Sequence, residues 1–477
     1  MAKVKTRFAP SPTGFMHLGG LRTALYAYLY AKHNGGDFVL RIEDTDKERF
    51  VEGALEVIYS SLNESGLKYD EGPDVGGNYG PYVQSERKEI YAKYAKKLIE
   101  LGGAYYCFCS KERLETLTDE NGNRKYDKLC LKLSKEEVER KIANGEPYVI
   151  RQNIPTEGTS SYEDLIYGTI EVDYSDLEDN VLIKSDGMPT YNFANVIDDH
   201  LMGITHVIRG TEYLSSTPKY NLMYDAFGWE RPVYIHLPTI MKDATRKLSK
   251  RYGDANFDDF INKGYLKKAI INYVALLGWC PKNNQEKMTL SEMVELFDLS
   301  GISKSPSIFD DVKLRWLNGE YLKEMSDEEF LSVATPFFEK SAVYGKYDIQ
   351  KIAKLIKTRV EILSEIPEKV DFIANPLPID NALYENQKQK TSAELAKIVL
   401  PKCIEKLKEI NDFTNSSLFE NLSLVASELE IKSKQLFWIL RIALTGMLVT
   451  PGGATEIAEI LGKEECVNRL TNALNNL

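Results

Sequence analysis

Long apolar runs are missing from this sequence of 477 residues, and cysteine is scarce, with six in the whole chain. No stretch of about twenty apolar residues occurs, so the sequence predicts no membrane-spanning helix. The opening MAKVKTRF lacks the apolar centre of a signal peptide. So few cysteines do not build a disulfide framework in so long a chain. We therefore expect a cytoplasmic protein that does not bind a membrane.

An excess of positive charge is also missing. The chain has 60 basic and 71 acidic residues, a formal net charge of −11, which excludes a generally basic coat for nucleic acid, and no DNA binding is predicted. A local basic groove, as an enzyme acting on RNA needs, remains compatible with this balance. The length and a hydrophobic content of 43% indicate a globular protein with several domains.

The dinucleotide fingerprint G-x-G-x-x-G is absent as well, so a nicotinamide or flavin enzyme is not indicated. The chain opens instead with RFAPSPTGFMHLGG. Alternation of Val4, Thr6 and Phe8 predicts a short strand, and apolar residues from Leu21 to Leu29 at helical spacing predict a helix. Because the strand FVLRI follows, the opening predicts a βαβ unit.

A second βαβ unit is predicted near position 210. HVIRG and VYIHL are its strands, and the helix between them has Thr217 as N-cap, Pro218 as first residue and Gly228 at its end. Just upstream, VLIKSDGMPTYNF predicts a hairpin that turns at Asp186-Gly187. A long segment of mixed pattern separates the two units, and beyond about residue 330 the pattern is helical throughout.

The first turn carries residues that suit a phosphate. Two prolines and Gly14 stiffen it, His17 lies near the helix start, and Gly19-Gly20 allow a ligand to approach the backbone. Amides at a helix N-terminus attract phosphate, and an imidazole adds a donor. A structural turn with a hydrogen-bonded histidine explains this segment equally well, so the segment alone decides nothing.

A second segment, RKLSKRYGDANF, groups three cations at Lys247, Lys250 and Arg251. Taken alone it is compatible with a solvated loop. Together the two segments resemble the signatures of the class I aminoacyl-tRNA synthetases, in particular the bacterial glutamyl-tRNA synthetases. HLGG at 17–20 is similar to the HIGH signature with glycine as its last residue, and KLSKR at 247–251 is similar to KMSKS, with Leu248 and Arg251 as departures.

Longer stretches carry the same resemblance, among them FVLRIEDTD, DGMPTYNFANVIDDHLMGITHVIRG and FGWERPVYIHLP. It covers nearly the whole chain and implies an α/β fold: a Rossmann-type doubly wound catalytic domain split by an α+β insertion and followed by all-α anticodon-binding domains. The expected parts are the two catalytic halves, the insertion that meets the tRNA acceptor end, a stem-contact domain with the KLSKR loop and the helical anticodon-binding region. Their expected boundaries are 1–95 and 186–240, 96–185, 241–328 and 329–477.

The resemblance also implies a reaction. Glutamate is activated with ATP and Mg²⁺ to glutamyl-adenylate and pyrophosphate, then transferred to the 3′-terminal adenosine of tRNA-Glu, with tRNA-Gln left open as a second acceptor. The attacking carboxylate is already ionised, so this step needs charge compensation and alignment rather than a general base. The expected catalytic residues are His17 and Lys250, in a monomeric enzyme. The residues implied for ATP are His17, Gly19, Gly20, Glu212, Lys247, Leu248, Ser249, Lys250 and Arg251.

Glutamate brings three charges, and the resemblance assigns each a partner. Arg7 would bind the side-chain carboxylate through its guanidinium. Glu43 with Ser11 would bind the ammonium, and Arg209 would bind the α-carboxylate. Singly, each residue is equally compatible with a core or salt-bridge role, but their joint occurrence inside matching motifs favours a site. The whole implied set is Arg7, Ala9, Ser11, Glu43, Tyr191, Asn195 and Arg209.

A metal site and an RNA contact are left open by the residues themselves. Cys107, Cys109 and Cys130 lie where some members of the family bind structural zinc, but the usual fourth position holds Lys132. An ammonium is a poor ligand, so we expect no zinc. Arg359 matches a position at which the family can contact the last anticodon base, and an exposed helix arginine explains it equally well.

Four alternatives remain. A glutaminyl-tRNA synthetase would carry β-barrels where this chain is helical, and a short tRNA-modifying relative would end near the catalytic domain. A HIGH-type nucleotidyltransferase for a small molecule would need neither the insertion nor the helical part. A catalytically inactive RNA-binding paralogue is opposed by the intact residues Arg7, His17, Glu43 and Lys250.

Overall fold

The computed structural model describes residues 3–46, 51–117, 126–248 and 256–477. The chain forms two compact units, one made of Met1–Ile261 with Lys267–Asp310 and the other of Asn262–Leu266 with Asp311–Leu477. Of the helices within the described ranges, none has the length and apolarity of a bilayer span.

The first unit mixes helices and strands. Its elements, in chain order, are β1 (Lys5–Phe8), α1 (Leu18–His33), β2 (Asp37–Leu40), α2 (Ala54–Glu64), α3 (Lys88–Glu100), β3 (Ala104–Cys107), α4 (Lys111–Glu115), α5 (Lys135–Ala143), β4 (Val149–Gln152), β5 (Thr159–Asp164), β6 (Gly168–Asp173), β7 (Val181–Ile183), α6 (Tyr191–Leu201), β8 (His206–Gly210), α7 (Thr217–Phe227), β9 (Val233–Leu237), β10 (Ile240–Met241), α8 (Phe257–Asn262), α9 (Lys267–Leu276), α10 (Leu290–Leu296) and β11 (Ser307–Ile308). The last residue of α8 belongs to the second unit.

Parallel strands form the centre of this unit. β1 pairs with β2 in parallel, with Arg7 opposite Val39, and β8 pairs with β9 in parallel. The amide of Thr205 donates to the carbonyl of Lys5 at 2.9 Å, which places the start of β8 beside β1. Because α1 and α7 connect these strand pairs, both predicted βαβ units are confirmed.

The first strand is buried along its whole length. Its alternating pattern implies one solvent-facing side, yet all four residues of β1 are buried, Lys5 and Arg7 included. A strand inside a parallel sheet is covered on both faces, so its polar side chains need buried partners. Lys5 finds one in Glu71, at 2.7 Å.

The segment between the two βαβ units contributes strands to two sheets. β3, β4 and β7 form an antiparallel sheet of their own. β5 and β6 form a hairpin, and β5 also pairs in parallel with β9 where Asp164 lies opposite Tyr234. This hairpin therefore extends the sheet of β8 and β9 and delivers Asp164 to its interior.

The predicted hairpin around Asp186-Gly187 forms only as a turn. The amide of Lys184 donates to the carbonyl of Met188 at 2.8 Å, and Gly187 has the positive φ, +79°, that favours glycine. The returning strand is reduced to one bridge between Ile183 and Pro189. The chain turns into α6 immediately afterwards, so no second strand can follow.

Helix α7 begins one residue earlier than its sequence predicts. Ser216 is the N-cap and Thr217 the first helical residue, so the prediction of Thr217 as cap is wrong by one position. Thr217 is engaged elsewhere, because its hydroxyl donates to the carbonyl of Tyr213 at 2.8 Å. The predicted end is confirmed: Gly228 closes the helix in the left-handed conformation.

The second unit is helical throughout its described residues, as predicted. Its core is continuous, with fully buried side chains such as Phe330, Leu400, Leu440 and Ile457 on four different helices. The helices are α11 (Asp311–Lys323), α12 (Asp327–Phe338), α13 (Ile349–Ile356), α14 (Ile366–Ala374), α15 (Ala393–Glu409), α16 (Asn415–Glu428), α17 (Ser433–Thr445), α18 (Ala454–Leu461) and α19 (Lys463–Asn475).

Candidate active site

A cavity of about 990 Å³ opens where β1 and β8 end. In open parallel sheets, ligands bind at the carboxyl ends of the strands, so this is the expected place for a site. Eight residues predicted from the sequence line the cavity wall. They are Arg7, Ala9, Ser11, Gly20, Glu43, Tyr191, Arg209 and Glu212.

Arg7 is anchored inside the sheet by a carboxylate that the sequence analysis did not single out. Its Nε and Nη2 both donate to the carboxylate of Asp199, at 3.1 to 3.3 Å. Nη1 donates to the carbonyl of Ile208. Arg41, which is fully buried, bridges Asp199 at 2.7 Å and Glu43 at 2.9 Å. Arg7 and Glu43 are therefore held by one ionic network.

The two carboxyl groups of this network have pKa values shifted in opposite directions. Burial opposes ionisation of Asp199, but Arg7 and Arg41 together hold the pKa of that carboxyl below its usual value. Burial raises the pKa of Glu43 above its usual value, although Arg41 opposes the shift. An ammonium group placed beside Glu43 would favour its ionised form, so Glu43 suits a cationic ligand.

Arg209 stands on the other side of the cavity in an aromatic frame. Its guanidinium lies 4.9, 4.8 and 5.5 Å from the ring centres of Tyr213, Tyr220 and Tyr234, distances at which a cation is attracted by the ring face. Its Nη2 donates to the hydroxyl of Thr217 at 2.6 Å. Among the residues that the structure describes, no carboxylate forms an ion pair with Arg209.

Tyr191 and Asn195 are placed differently from one another. Tyr191 lines the cavity and lies against Tyr213, with 5.4 Å between ring centres. Burial raises the pKa of Tyr191 well above its usual value, so its hydroxyl stays protonated and can donate. Asn195 is buried one helical turn further on and is not part of the cavity wall; its amide donates to the carbonyl of Tyr191 at 2.6 Å. Asn195 thus supports Tyr191 rather than facing the cavity directly.

His17 caps helix α1. Its Nδ1 accepts a hydrogen bond from the amide of Gly19 at 3.0 Å. A side chain at Gly19 would meet the imidazole at 3.2 Å, closer than nearly all Cβ contacts. His17 also forms an antiparallel bridge with Asn256. The His-Gly-Gly turn is therefore built closely around the first residues of the helix.

The KLSKR segment is described only up to Leu248. The amide of Leu248 donates to the carbonyl of Ile240 at 3.1 Å, and the side chain of Leu248 is buried, while Lys247 is exposed. The chain is described again from Asn256, which meets His17. Three of the predicted ATP-binding residues lie outside the described residues: Ser249, Lys250 and Arg251.

The three cysteines near position 110 form a cluster. The sulfur atoms of Cys107, Cys109 and Cys130 all lie within 4.8 Å of one another, with Cys109 and Cys130 separated by 3.5 Å. The hydroxyl of Tyr126 lies 3.3 Å from the Cys107 sulfur and 3.6 Å from that of Cys109. Lys132 is exposed, and within the described ranges its ammonium has no hydrogen bond to these thiols. The oxygen beside the cluster is therefore that of Tyr126.

Two of the thiols differ in their pKa. Burial opposes ionisation of Cys107, but hydrogen bonds from Tyr126 and Arg151 lower its pKa overall. Burial and the neighbouring sulfurs raise the pKa of Cys109 to about 11. Cys107 therefore ionises before Cys109.

The helical unit holds two groups that sequence reasoning missed. Nε1 of Trp438 and Nε of Arg441, one turn apart on α17, are buried and have no hydrogen-bond partner among the described residues. Nη1 of Arg441 donates to the carbonyl of the exposed Leu448 at 3.2 Å. Arg359 follows α13 and is exposed, with no ion pair in the described part of the chain. A Trp and an Arg at i and i+3 were the available sequence signal, but they lie within an apolar pattern that indicates only a helix.

Comparisons with known proteins agree with this architecture. A family model described as "tRNA synthetases class I (E and Q), catalytic domain" matches residues 3–316, and one described as "Anticodon binding domain" matches residues 329–474. The glutamate–tRNA ligase of Clostridium kluyveri is 57% identical, over 100% of this chain and 99% of its own length. That of Clostridium acetobutylicum is 56% identical with the same coverage. A solved glutamate–tRNA ligase from Elizabethkingia meningosepticum, in complex with its amino acid, superimposes with a TM-score of 0.90 at 36% identity over 100% of both chains.

Proposed function

The chain belongs to the glutamate–tRNA ligases, class I aminoacyl-tRNA synthetases with an anticodon-binding domain, and from that premise we propose how its cavity carries out the reaction. It activates L-glutamate with ATP and transfers it to the 3′-terminal adenosine of tRNA-Glu. The observation that carries the proposal is the meeting of the two signature segments at His17 and Asn256, beside a cavity that contains Arg7, Glu43 and Arg209.

The charges around the cavity favour glutamate over glutamine. Arg7 is matched by Asp199 and Arg41 by Glu43, whereas Arg209 has no carboxylate partner within the described residues. Two guanidinium groups at one buried site suit a ligand with two carboxylates, which is glutamate, whereas glutamine offers a neutral amide in place of one of them. In the proposed pose, Arg7 binds the side-chain carboxylate, Glu43 the ammonium and Arg209 the α-carboxylate.

The activation step needs no proton transfer. An oxygen of the α-carboxylate attacks the α-phosphorus of ATP, a bond forms between them, and the bond from that phosphorus to the bridging oxygen of the β-phosphate breaks, releasing pyrophosphate. The residues that the step requires are donors for the charge that builds up on the phosphates. We propose His17 and Lys250 for this role, with the α1 amides near Gly20 facing the nucleotide.

Mg²⁺ is implied because ATP is the substrate. Among the residues that the structure describes, only the cysteine cluster brings three metal-binding side chains together, so the cavity holds no ready cage of carboxylates. This fits an ion that arrives on the phosphates of the nucleotide, where Mg²⁺ usually keeps most of its ligands outside the protein. Bound there, it would neutralise part of the triphosphate charge.

The cysteine cluster bears on the prediction of no zinc. That prediction depended on Lys132 at the usual fourth-ligand position, and within the described residues the exposed Lys132 makes no hydrogen bond to the thiols. The three sulfurs, all within 4.8 Å of one another, fit three positions of a tetrahedral zinc, whose sulfur ligands lie roughly 3.8 Å apart. Cys107, Cys109 and Cys130 would hold the ion in a structural role, and its fourth position would go to a ligand other than Tyr126, because burial raises the pKa of that hydroxyl and keeps it protonated. We expect elemental analysis to find one zinc per chain. The zinc should be lost in Cys109→Ser and kept in the control Cys280→Ser, which changes an exposed cysteine. A zinc-free wild-type protein would restore the original prediction.

The helical unit is proposed to bind the anticodon arm of the tRNA, as its family match implies. The predicted contact is Arg359, which is exposed and has no ion pair within the described residues, so its guanidinium is accessible to a base edge. Charging of tRNA-Gln, a monomeric state and a cytoplasmic location remain predictions from the sequence.

Pyrophosphate exchange tests the proposed activation directly. We expect exchange of labelled pyrophosphate into ATP that depends on glutamate, measured with tRNA-Glu present so that any requirement for tRNA is met. Glutamine should support it at least about a hundredfold less well, because a charge-assisted hydrogen bond is lost. Exchange that is independent of the amino acid would contradict the proposal.

A further inference from the structure

Behind Arg209, a row of buried polar groups crosses the sheet from the inserted hairpin to the cavity. Asp164 at the end of β5 lies 2.7 Å from Nδ1 of His236 on β9. Nε2 of His236 lies 3.1 Å from Nε of Arg209 on β8. The side chains of Asp164 and His236 are fully buried. Neither residue lines the cavity, so any effect on a ligand must pass through Arg209.

The hydrogen atoms of this row can be assigned. The Nε–H of an arginine is always a donor, so Nε2 of His236 must accept and its proton lies on Nδ1. Nδ1–H then donates to Asp164. Asp164 is itself fixed, because its other oxygen accepts from the amides of Ile166 and Tyr167, each at 2.9 Å. The imidazole is therefore held in one orientation and one tautomer.

The same row fixes the plane of the Arg209 guanidinium. His236 binds Nε, and Thr217 binds Nη2 at 2.6 Å from the opposite side. Nη1 has no hydrogen-bond partner in the described parts of the chain, and Arg209 belongs to the cavity wall. The two anchored nitrogens thus leave one edge of the guanidinium for a ligand.

We propose that His236, oriented by Asp164, is a positioning residue that holds Arg209 ready for the α-carboxylate of the amino acid. The proposal deepens the function proposed above and rests on it. A planar guanidinium binds a carboxylate well in only a narrow range of orientations. A side chain that fixes this plane before binding contributes to affinity by preorganisation.

The surroundings of His236 favour its neutral form. Asp164 faces it from β5, Arg209 from β8, the Thr217 hydroxyl from α7 and the Tyr234 ring from its own strand, and Glu212 acts at longer range. Burial, together with Arg209, lowers the pKa of His236 below its usual 6.5, although Asp164 opposes the shift. The imidazole is therefore neutral at pH 7. As pH falls through that lowered pKa, Nε2 becomes a donor and can no longer accept from Arg209.

Two substitutions and one control test the proposal. His236→Phe removes the acceptor but keeps a ring, whereas His236→Gln keeps an acceptor oxygen that does not titrate. The control is His206→Phe: His206 starts β8, contacts Thr205 and Tyr30, and is not part of the cavity wall. KM for glutamate and KM for ATP are measured by pyrophosphate exchange with tRNA-Glu present, and folding is checked by thermal unfolding.

We expect His236→Phe to raise KM for glutamate roughly ten- to a hundredfold, the effect of leaving a buried donor unpaired, while KM for ATP changes by about twofold at most. His236→Gln should restore most of the affinity. In the wild-type protein KM for glutamate should rise as pH falls below 6.5 through the lowered pKa of His236, and this rise should be absent in His236→Gln. His206→Phe should leave both constants unchanged.

The outcomes distinguish a failure of the proposed function from a failure of the positioning role of His236. Lack of any glutamate-dependent exchange by the wild-type protein would overturn the proposed function itself. Wild-type exchange combined with an unchanged KM for glutamate in folded His236→Phe would overturn the positioning role alone. Should His236→Phe fail to fold, the pH comparison decides: equal pH dependence in the wild-type protein and in His236→Gln would overturn the proposal.

Discussion

Replacing Lys250 by alanine is expected to lower the rate of glutamate activation by about a thousandfold while the protein stays folded. In the proposed reaction, negative charge spreads over the phosphates as pyrophosphate departs. Because the role proposed for Lys250 is to compensate that charge at the transition state, its loss should lower kcat far more than it raises KM for ATP.

The anchoring of the segment supports this expectation, although Lys250 itself lies outside the described residues. Before it, Leu248 is tied to Ile240 at 3.1 Å; after it, the amide of Phe257 donates to the carbonyl of Met16 at 3.1 Å, and Asn256 pairs with His17. Lys250 is only six positions from Asn256. The described residues on both sides of the segment are thus held by hydrogen bonds within the first unit.

Single-turnover adenylate formation and pyrophosphate exchange measure the effect. Lys304→Ala serves as the matched control, because Lys304 is an exposed lysine of the same unit and its backbone carbonyl, not its side chain, accepts the hydrogen bond from Tyr167. Activation at the wild-type rate by Lys250→Ala would remove Lys250 from the catalytic residues.

Replacing Arg7 by glutamine should reduce the preference for glutamate over glutamine by roughly a hundredfold or more. The side-chain carboxylate would lose its charged partner, while a neutral amide would lose much less. Asp199 would keep Arg41 as its partner at 2.7 Å, so the buried carboxylate is not left alone. We therefore expect a measurable loss of stability without general unfolding.

The measurement is the ratio of kcat/KM for the two amino acids in the exchange assay. Arg87→Gln is the matched control, since Arg87 is also a buried arginine paired with a buried aspartate, Asp198, at 2.7 Å, but does not line the cavity. That control should lose stability and keep its preference for glutamate. An unchanged preference in Arg7→Gln would exclude Arg7 from the specificity pocket.

Structural features that depend only on neighbouring residues could be predicted from the sequence. The βαβ units follow from periodicity and glycine punctuation, because strand, helix and turn each depend on neighbouring residues. The end of α7 at Gly228 is of this kind. The position of His17 near the start of α1 is another, whereas its role as the cap was not predicted.

Features that join distant segments were not predictable. Arg7 meets Asp199 across 192 positions, and Asp164 meets His236 across 72; only the fold brings them together. The buried β1 shows the same limit, since short strands give no sign of being covered on both faces. Tyr126, rather than Lys132, lies beside the cysteines, and the positive φ of +55° at Lys128 between them is not signalled by any spacing rule.

We expect this chain to join glutamate to tRNA-Glu. The most direct test is charging with labelled glutamate and ATP, with purified tRNA-Glu and tRNA-Gln in separate reactions. We expect ester-linked glutamate on tRNA-Glu, and glutamate on tRNA-Gln as well would identify an enzyme that does not discriminate between the two tRNAs. Charging of neither tRNA by folded protein would contradict the account and return the inactive RNA-binding paralogue as the explanation.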